Sequence, residues 1–393
     1  MIPLHRPQPR PTELPSLAAR VLRASPVYRL VPHRTLPEPQ RQAFAFLAED
    51  PEHYGLLVPS ERTELGVKAV DRDLAALFHR LRRPGSLGGS PADIPDDQTL
   101  LRLVVDGVLE VETEGGFASG PRACAALRLL QGAAVDGPIA RASRRALELA
   151  YHHPTEDPSE LSAWIYRFGA MPATRTWQRQ GAHTASLLES LGMHPGSSRV
   201  DRLCDRYLET RCTGWSSWQL HNRGTAHLPY KLYVSPTPRA MGRLFGGILG
   251  ALQAADVPAF KFGLGLTGLL RPDRLVAYLP SWDHLRRAAL RLDAVVGEAP
   301  AHGVPFTAPL VPTGTLSWGM DPPRYARLQG WGPGESWRSW VTNRAARALL
   351  VARGAGCDTK TALDFVAARL TVEGVDVGTW SPTPSLWTPE EGA

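Results

Sequence analysis

Residues 230–279 read YKLYVSPTPRAMGRLFGGILGALQAADVPAFKFGLGLTGLLRPDRLVAYL, short apolar runs interrupted by one long helical stripe, and this order decides the fold of the second half of the chain. Tyr230–Ser235 has the length and the β-branched and aromatic content of a strand. Thr237-Pro238 then opens a helix with a capping hydroxyl and a proline at the first helical position. Met241, Leu244, Phe245, Ile248, Leu249 and Leu252 recur at helical spacing and make one face of it apolar. Phe260–Gly263 and Leu275–Leu279 follow as strands, and Ser281 caps a helix that turns Leu285, Ala289, Leu292 and Val296 inward. A last helix is expected from about Ser336 to Arg353, and the tail SPTPSLWTPEEGA as unstructured.

Upstream, residues 121–200 carry helical patterns in ACAALRLLQGAA, ASRRALELAYHH, ELSAWIYRFGAM and HTASLLESLG. Further upstream, Tyr54–Val58 and Leu65–Val70 read as strands. Asp71 is placed to cap a helix with Leu74, Leu77, Phe78 and Leu81 on one side. A second helix with Leu100, Leu101, Val104 and Val105 leads through Asp106-Gly107 into the strand-like VLEVE. Residues 1–36 are rich in Pro and Arg and are expected as a flexible arm with a short helix at 16–24.

The resulting order of strand, strand, helix, helix, strand over residues 50–120 resembles the small winged-helix-like modules that bind the leader segment of a precursor peptide in ribosomal-peptide maturation. The resemblance implies uptake of the leader along an edge strand, with affinity from main-chain hydrogen bonds. The whole chain reads as α+β: a basic arm (1–36), a winged-helix-like module (37–125), a helical connector (126–210), a mixed α/β domain (211–355) and a partly disordered extension (356–393).

Composition sets limits on partners and compartment. The chain of 393 residues is 43% hydrophobic and 21% charged, as globular proteins are. The opening MIPLHRPQPRPTELP is broken by prolines where a secretory signal needs an apolar core, and no segment suits a membrane span, so a cytoplasmic protein is expected. Four cysteines in such a chain make no disulfide framework. Much of the net charge of +6 comes from Arg6, Arg10, Arg20, Arg23, Arg29, Arg34 and Arg41 in the arm. That is mild steering toward an anion, without the basic face and interleaved aromatics of a nucleic-acid binder.

Lysines that interrupt apolar strands need an explanation, because a buried ammonium is costly without an anionic partner. Lys231 and Tyr233 share a strand face, Lys261 interrupts Phe260-Lys261-Phe262, and Arg271 precedes the strand 275–279. A phosphate would suit all three cations, and Arg271 can offer a forked donor. The plain alternatives are edge-strand lysines that reach into solvent, and an Arg271 that pairs with Asp273.

Residues 215–350 resemble the phosphothreonine-lyase family of type III secreted effectors and the related HopA-type lyases of class V lanthipeptide and thioamitide biosynthesis. The resemblance includes VPFTAPLVPTGTLSWGMDPP (304–323), with its Phe-Thr-x-Pro-Leu turn before a Ser-aromatic-Gly step. It implies that Lys261 removes an alpha proton and that Lys231 and Arg271 hold phosphate. Tyr233 stands where the effectors carry a histidine acid, and a phenol with a pKa of about 10 is less well matched to neutral pH. Arg338 and Arg344 are further candidates for the phosphate pocket, although their spacing places them about 120° apart on a helix.

The activity implied by the resemblance is that of a carbon–oxygen lyase, which eliminates phosphate from phosphoserine or phosphothreonine of a precursor peptide, in concert with a kinase and without a cofactor. A cyclase that adds Cys thiols to dehydro residues, and a non-catalytic leader-binding adaptor, are the alternatives. Cys204, Cys212, His221 and His227 are zinc-type ligands, but intervals of seven and five residues match no common zinc module, so no metal is assigned. GLGLTG (263–268) imitates a nucleotide loop without the Lys-Ser/Thr that should follow, and reads better as a turn before Arg271. Trp318, Trp331, Trp337 and Trp340 are expected in core and lid packing.

Overall fold

The computed structural model describes residues 16–48, 50–60, 66–87, 95–128, 137–180, 184–222, 227–322 and 335–383. It is an α+β protein. The N-terminal part comprises β1 (Leu22–Ala24), β2 (Tyr28–Pro32), α1 (Glu38–Ala43), β3 (His53–Pro59), β4 (Lys68–Asp71), α2 (Arg72–Arg80), α3 (Asp97–Val105), β5 (Leu109–Thr113), β6 (Gly116–Ala118) and α4 (Gly120–Leu127). Its strands form two antiparallel sheets, in the orders β2-β3-β4 and β1-β5-β6. Asp71 caps α2 as its position requires, accepting from the Leu74 amide at 2.7 Å.

The structure corrects two expectations. The described residues before 36 are folded. Val21 accepts from the Glu112 amide, Leu22 pairs with Val111, and Leu17 and Leu22 are fully buried. The 16–24 segment is therefore a turn and a strand, because its register with β5 outweighs its weak helical pattern. Residues 1–15, the rest of the expected arm, lie outside the described residues.

A helical layer comes next: α5 (Gly137–Tyr151), α6 (Pro158–Arg167), α7 (Arg175–Gln180), α8 (Thr184–Ser190) and α9 (Ser198–Cys204). The remainder is β7 (Tyr207–Cys212), β8 (Trp215–Leu220), β9 (Tyr230–Val234), α10 (Pro238–Ala254), β10 (Ala259–Gly263), α11 (Gly265–Leu270), β11 (Leu275–Leu279), α12 (Trp282–Val296), β12 (Ala308–Pro309), β13 (Leu316–Met320), α13 (Trp337–Gly354), α14 (Thr359–Val372), β14 (Val375–Asp376) and β15 (Ser381–Pro382). The second correction concerns the tail expected as unstructured from Ser381: Ser381–Pro382 form β15, while residues 384–393 lie outside the described residues. The extension before it contains α14, whose Phe365, Val366 and Leu370 are buried and which packs on α13, α3, α4 and α5.

Seven strands form one antiparallel sheet in the order β12-β13-β9-β11-β10-β8-β7. Strand alternation gives it two chemically distinct faces. Phe260, Phe262, Leu232, Ala277 and Trp318 are buried on the face toward α10 and α12, with Phe245 meeting Phe262 at 5.2 Å and Trp282 meeting Trp318 at 4.9 Å between ring centroids. Burial of each large side chain there contributes on the order of 2 kcal/mol. Thr237 occupies the cap position of α10, but its hydroxyl makes no capping bond, and its backbone amide donates to Pro300 O at 2.7 Å. Ser281 does cap α12, accepting from the His284 amide at 3.2 Å. The opposite face carries Lys231, Tyr233, Lys261 and Tyr278.

Candidate functional site

The β9, β11 and β10 strands are interior strands, so Lys231 and Lys261 are not edge-strand lysines. Register brings them together. Val276 pairs with Tyr233 on one side and Lys261 on the other, and Tyr278 pairs with Lys231. Directly paired residues project from the same face, so Lys231, Tyr233, Lys261 and Tyr278 form one patch.

Two aromatic rings organise the cations. The Lys261 Nζ lies 4.3 Å from the Trp215 ring centroid and 5.7 Å from that of Tyr278. Lys231 Nζ lies 5.4 Å from the Tyr278 ring, and the Arg271 guanidinium 4.6 Å from that of Trp215. Ring faces are electronegative, so they favour this gathering of like charges. Burial, then the neighbouring Lys231 ammonium, lowers the pKa of Lys261 below the ordinary lysine value, and Arg271 acts in the same direction. Among the described residues Lys261 has no carboxylate partner.

The other two cations have partners. Lys231 pairs with Asp321 at 2.6 Å, just beyond β13. Arg271 pairs with Asp273 through two bonds of 2.9 Å each, so the pairing considered from the sequence is present. Asp273 also accepts from Tyr166 Oη at 2.9 Å and lies 2.8 Å from Arg338 Nη1. Burial pushes the Asp273 carboxyl up, but Arg338 and Arg271 more than offset this and hold it well below the usual carboxylate range. Tyr166 is pushed up to about 12 by burial and by Asp273. A polar contact from Ser162 on α6 to Thr342 at 3.0 Å, and others to Asn343 and on to Glu335, tie α6 to α13 and so hold Tyr166 and Arg338 in place.

The remaining candidates fall elsewhere. Arg338 is 1% exposed, and its Nε and Nη2 donate to Pro305 O and Tyr166 O, so it supports Asp273 from beneath instead of facing a ligand. Arg344 does not join the group: it pairs with Glu373 and stacks on Trp340 at 3.7 Å. Tyr233 is 2% exposed beside Val276 and Val304, and burial, with Tyr166 nearby, raises its pKa well above the ordinary phenol value. It is protonated at neutral pH and a weak acid.

Gly263 and Gly268 touch backbone to backbone, each within 2.5 Å of where the other's Cβ would lie, and α11, which contains Gly268, ends at Arg271. The glycines thus serve a close approach, and the expected turn is a short helix. Trp318, Trp337 and Trp340 are buried core, while Trp331 lies outside the described residues. Cys204 ends α9 and Cys212 ends β7, and no three metal-type ligands group together among the described residues.

Beside Arg271 and Asp273 a cleft of about 500 Å³ opens between α6 and α11, with Tyr166, Met171, Leu266 and Leu270 on its walls. Asp273, Tyr166, Trp215 and Asp321 are not assigned to the site by sequence reasoning. Their only local signals are a carboxylate two residues from Arg271 and an aromatic residue at a strand start.

No protein-family model and no curated protein matches the chain. Among solved structures it is similar to an effector protein from Pseudomonas syringae pv. syringae strain 61, at 11% identity over 64% of this chain and 99% of that one, with a TM-score of 0.38. It is similar to an effector protein from Pseudomonas syringae pv. tomato strain DC3000 at 13% identity over 62% and 97%, also with a TM-score of 0.38. No helix among the described residues is long and apolar enough to cross a membrane.

Proposed function

We propose that the chain is a carbon–oxygen lyase that removes phosphate from phosphoserine or phosphothreonine in a ribosomally made precursor peptide, with a kinase supplying the phosphate. The observation that carries this reading is Lys261: an ammonium with a lowered pKa, held between Trp215 and Tyr278 and next to Lys231 and Arg271. Neutral Lys261 takes the alpha proton, the C–H electron pair becomes the new double bond, and the C–O bond breaks with its pair on the departing phosphate. Once Lys261 holds the alpha proton, it stands with Lys231, Arg271 and, behind Asp273, the buried Arg338 against the carboxylates of Asp273 and Asp321, an excess of cations that suits a phosphate dianion. Once its charge is balanced, that leaving group has little need of a strong acid, which accommodates the buried Tyr233. The test is to incubate the protein with a synthetic phosphothreonine peptide and follow inorganic phosphate and peptide mass. Loss of phosphate with a dehydro product supports the reading, and an unchanged peptide defeats it.

One observation favours a cyclase on the same scaffold. Lys231 and Arg271 already hold carboxylates, so an incoming phosphate must compete with Asp321 and Asp273. Under that reading Lys261 activates a cysteine thiol and Lys231 and Arg271 stabilise the developing enolate. Incubation with a dehydrated, cysteine-bearing peptide and titration of its free thiol separates the two.

A further inference from the structure

The cleft between α6 and α11 adjoins the cation group but differs from it in chemistry. Met171, Leu266, Leu270 and Pro272 give it an apolar lining, and its charged members are Arg167, Arg271 and Asp273. Asp273 is already engaged by Tyr166, Arg271 and Arg338, so the lining offers a ligand no unpaired carboxylate. The walls are fixed to each other and to the fold. The Met171 amide donates to Leu270 O at 2.9 Å, His302 Nε2 donates to Gly169 O at 2.5 Å, and Tyr166 Oη donates to Asp273 at 2.9 Å. A pre-formed concavity of about 500 Å³, mostly apolar with a few placed polar groups, has the size and composition of a binding site. Arg271 is the boundary between this cleft and the cation group. Its guanidinium lies 4.6 Å from the ring centroid of Trp215, which also carries Lys261, and 5.8 Å from that of Tyr166, which lines the cleft.

We propose that the cleft takes an apolar side chain, Leu, Met or Phe, from a position within two residues of the phosphorylated Ser or Thr, so that peptides are selected by that neighbour. An extended peptide advances about 3.3 Å per residue and turns alternate side chains to opposite faces. With the phosphate held by Lys231 and Arg271, a residue one or two places away therefore passes Arg271 and enters the cleft. There it is buried against Met171 and Leu266, which is worth about tenfold or more in affinity. That the neighbour in question flanks a phosphorylated residue rests on the proposed lyase function, whereas the apolar preference follows from the lining. An acidic neighbour fits less well: it would meet Arg167 but leave the apolar walls in water.

The test uses the full chain and labelled peptides in which a phosphonate replaces phosphothreonine, with CH2 in place of the ester oxygen so that nothing is eliminated. Fluorescence anisotropy compares a peptide with Ser at the two positions on either side against peptides that carry Leu, or Glu, at one of those positions. Leu at one position should tighten binding about tenfold over Ser, and Glu should not. Met171→Gln together with Leu266→Gln should bring the Leu peptide to the affinity of the Ser peptide at an unchanged melting temperature. Met171 is 38% exposed, so Met171→Gln alone serves if the double variant fails to fold, and it should remove part of the gain. The proposal is overturned by no saturable binding of any peptide, by equal binding of Leu and Ser peptides at every position, by a larger gain from Glu than from Leu, or by a Leu gain that survives in the variants. Phosphate release from the phosphothreonine forms of the Ser and Leu peptides is followed in parallel. No release from either, with the Leu gain in binding intact, defeats the lyase reading alone. Release from both with equal kcat/KM and equal binding defeats the cleft alone.

Discussion

Arg271 and Asp273 are joined by two parallel hydrogen bonds of 2.9 Å, between a guanidinium that is 31% exposed and a carboxylate that is 3% exposed. The carboxylate is therefore a fixed part of the interior, and the arginine is the movable member that reaches from it toward solvent. Asp273→Asn would leave the buried Arg338 without its countercharge. We expect a loss of about 3–5 kcal/mol in urea unfolding. Arg271→Ala, at the exposed end, should cost about 1 kcal/mol in stability while lowering phosphate release much more. Similar stability losses for the two would show that the pair is not polarised in this way.

Lys261→Met tests whether the buried ammonium is kept for chemistry. A group whose folded pKa is lowered is a burden on stability wherever it is charged, so its replacement by an apolar chain of similar length should stabilise the fold by about 1 kcal/mol. The same change should abolish phosphate release. Lys261→Arg should be equally inactive, because a guanidinium stays protonated. Residual activity in either variant above a few per cent would remove Lys261 from the role of base.

The same shift sets the pH profile. The base form of Lys261 grows as pH rises through its lowered pKa, so kcat/KM should climb from neutrality and level off below the ordinary lysine value of about 10.4. Removing the Lys231 ammonium, as in Lys231→Met, raises the Lys261 pKa and should move that limb to higher pH. A limb that stays in place would mean the two lysines do not sense each other.

His302 makes a prediction about stability alone. Its Nδ1 accepts from Arg274, its Nε2 donates to Gly169 O at 2.5 Å, and burial with the adjacent guanidinium lowers its pKa to about 4. The unfolded imidazole, with a pKa of about 6.5, takes up a proton first, so folding stability should fall as pH drops from about 6.5 to 4. Melting temperatures measured across that window should decline less steeply in His302→Asn than in the unaltered chain.

Much of the sheet is legible in the sequence because its strands are short alternating runs: β9, β10 and β11 coincide with Tyr230–Ser235, Phe260–Gly263 and Leu275–Leu279 to within a residue. Local pattern does not contain strand order. The insertion of β11 between β9 and β10 sets Tyr278 between the two lysines, and Tyr166 reaches Asp273 from 107 residues away. Arg344 shows the converse: it lies more than one turn from Arg338, and so meets Glu373 on another side of α13. Helix α14 is hidden in the sequence for a physical reason. Ala362, Phe365, Val366 and Leu370 are covered from several directions, so the segment lacks the one-sided stripe by which a surface helix is recognised.

The position of α14 has a consequence for biosynthesis. It packs against α3 and α4 as well as α13, and Arg102 of α3 donates to its Val372 carbonyl at 2.8 Å. Residues 359–372 leave the ribosome after every other helix among the described residues, so the apolar surfaces of α3 and α4 wait uncovered through most of translation. Domains ordinarily complete themselves in order of synthesis, but here the first-made part is closed by a late-made one. Nascent chains arrested before residue 359 should accordingly bind chaperones through the Leu100–Val105 helix and release them once α14 emerges.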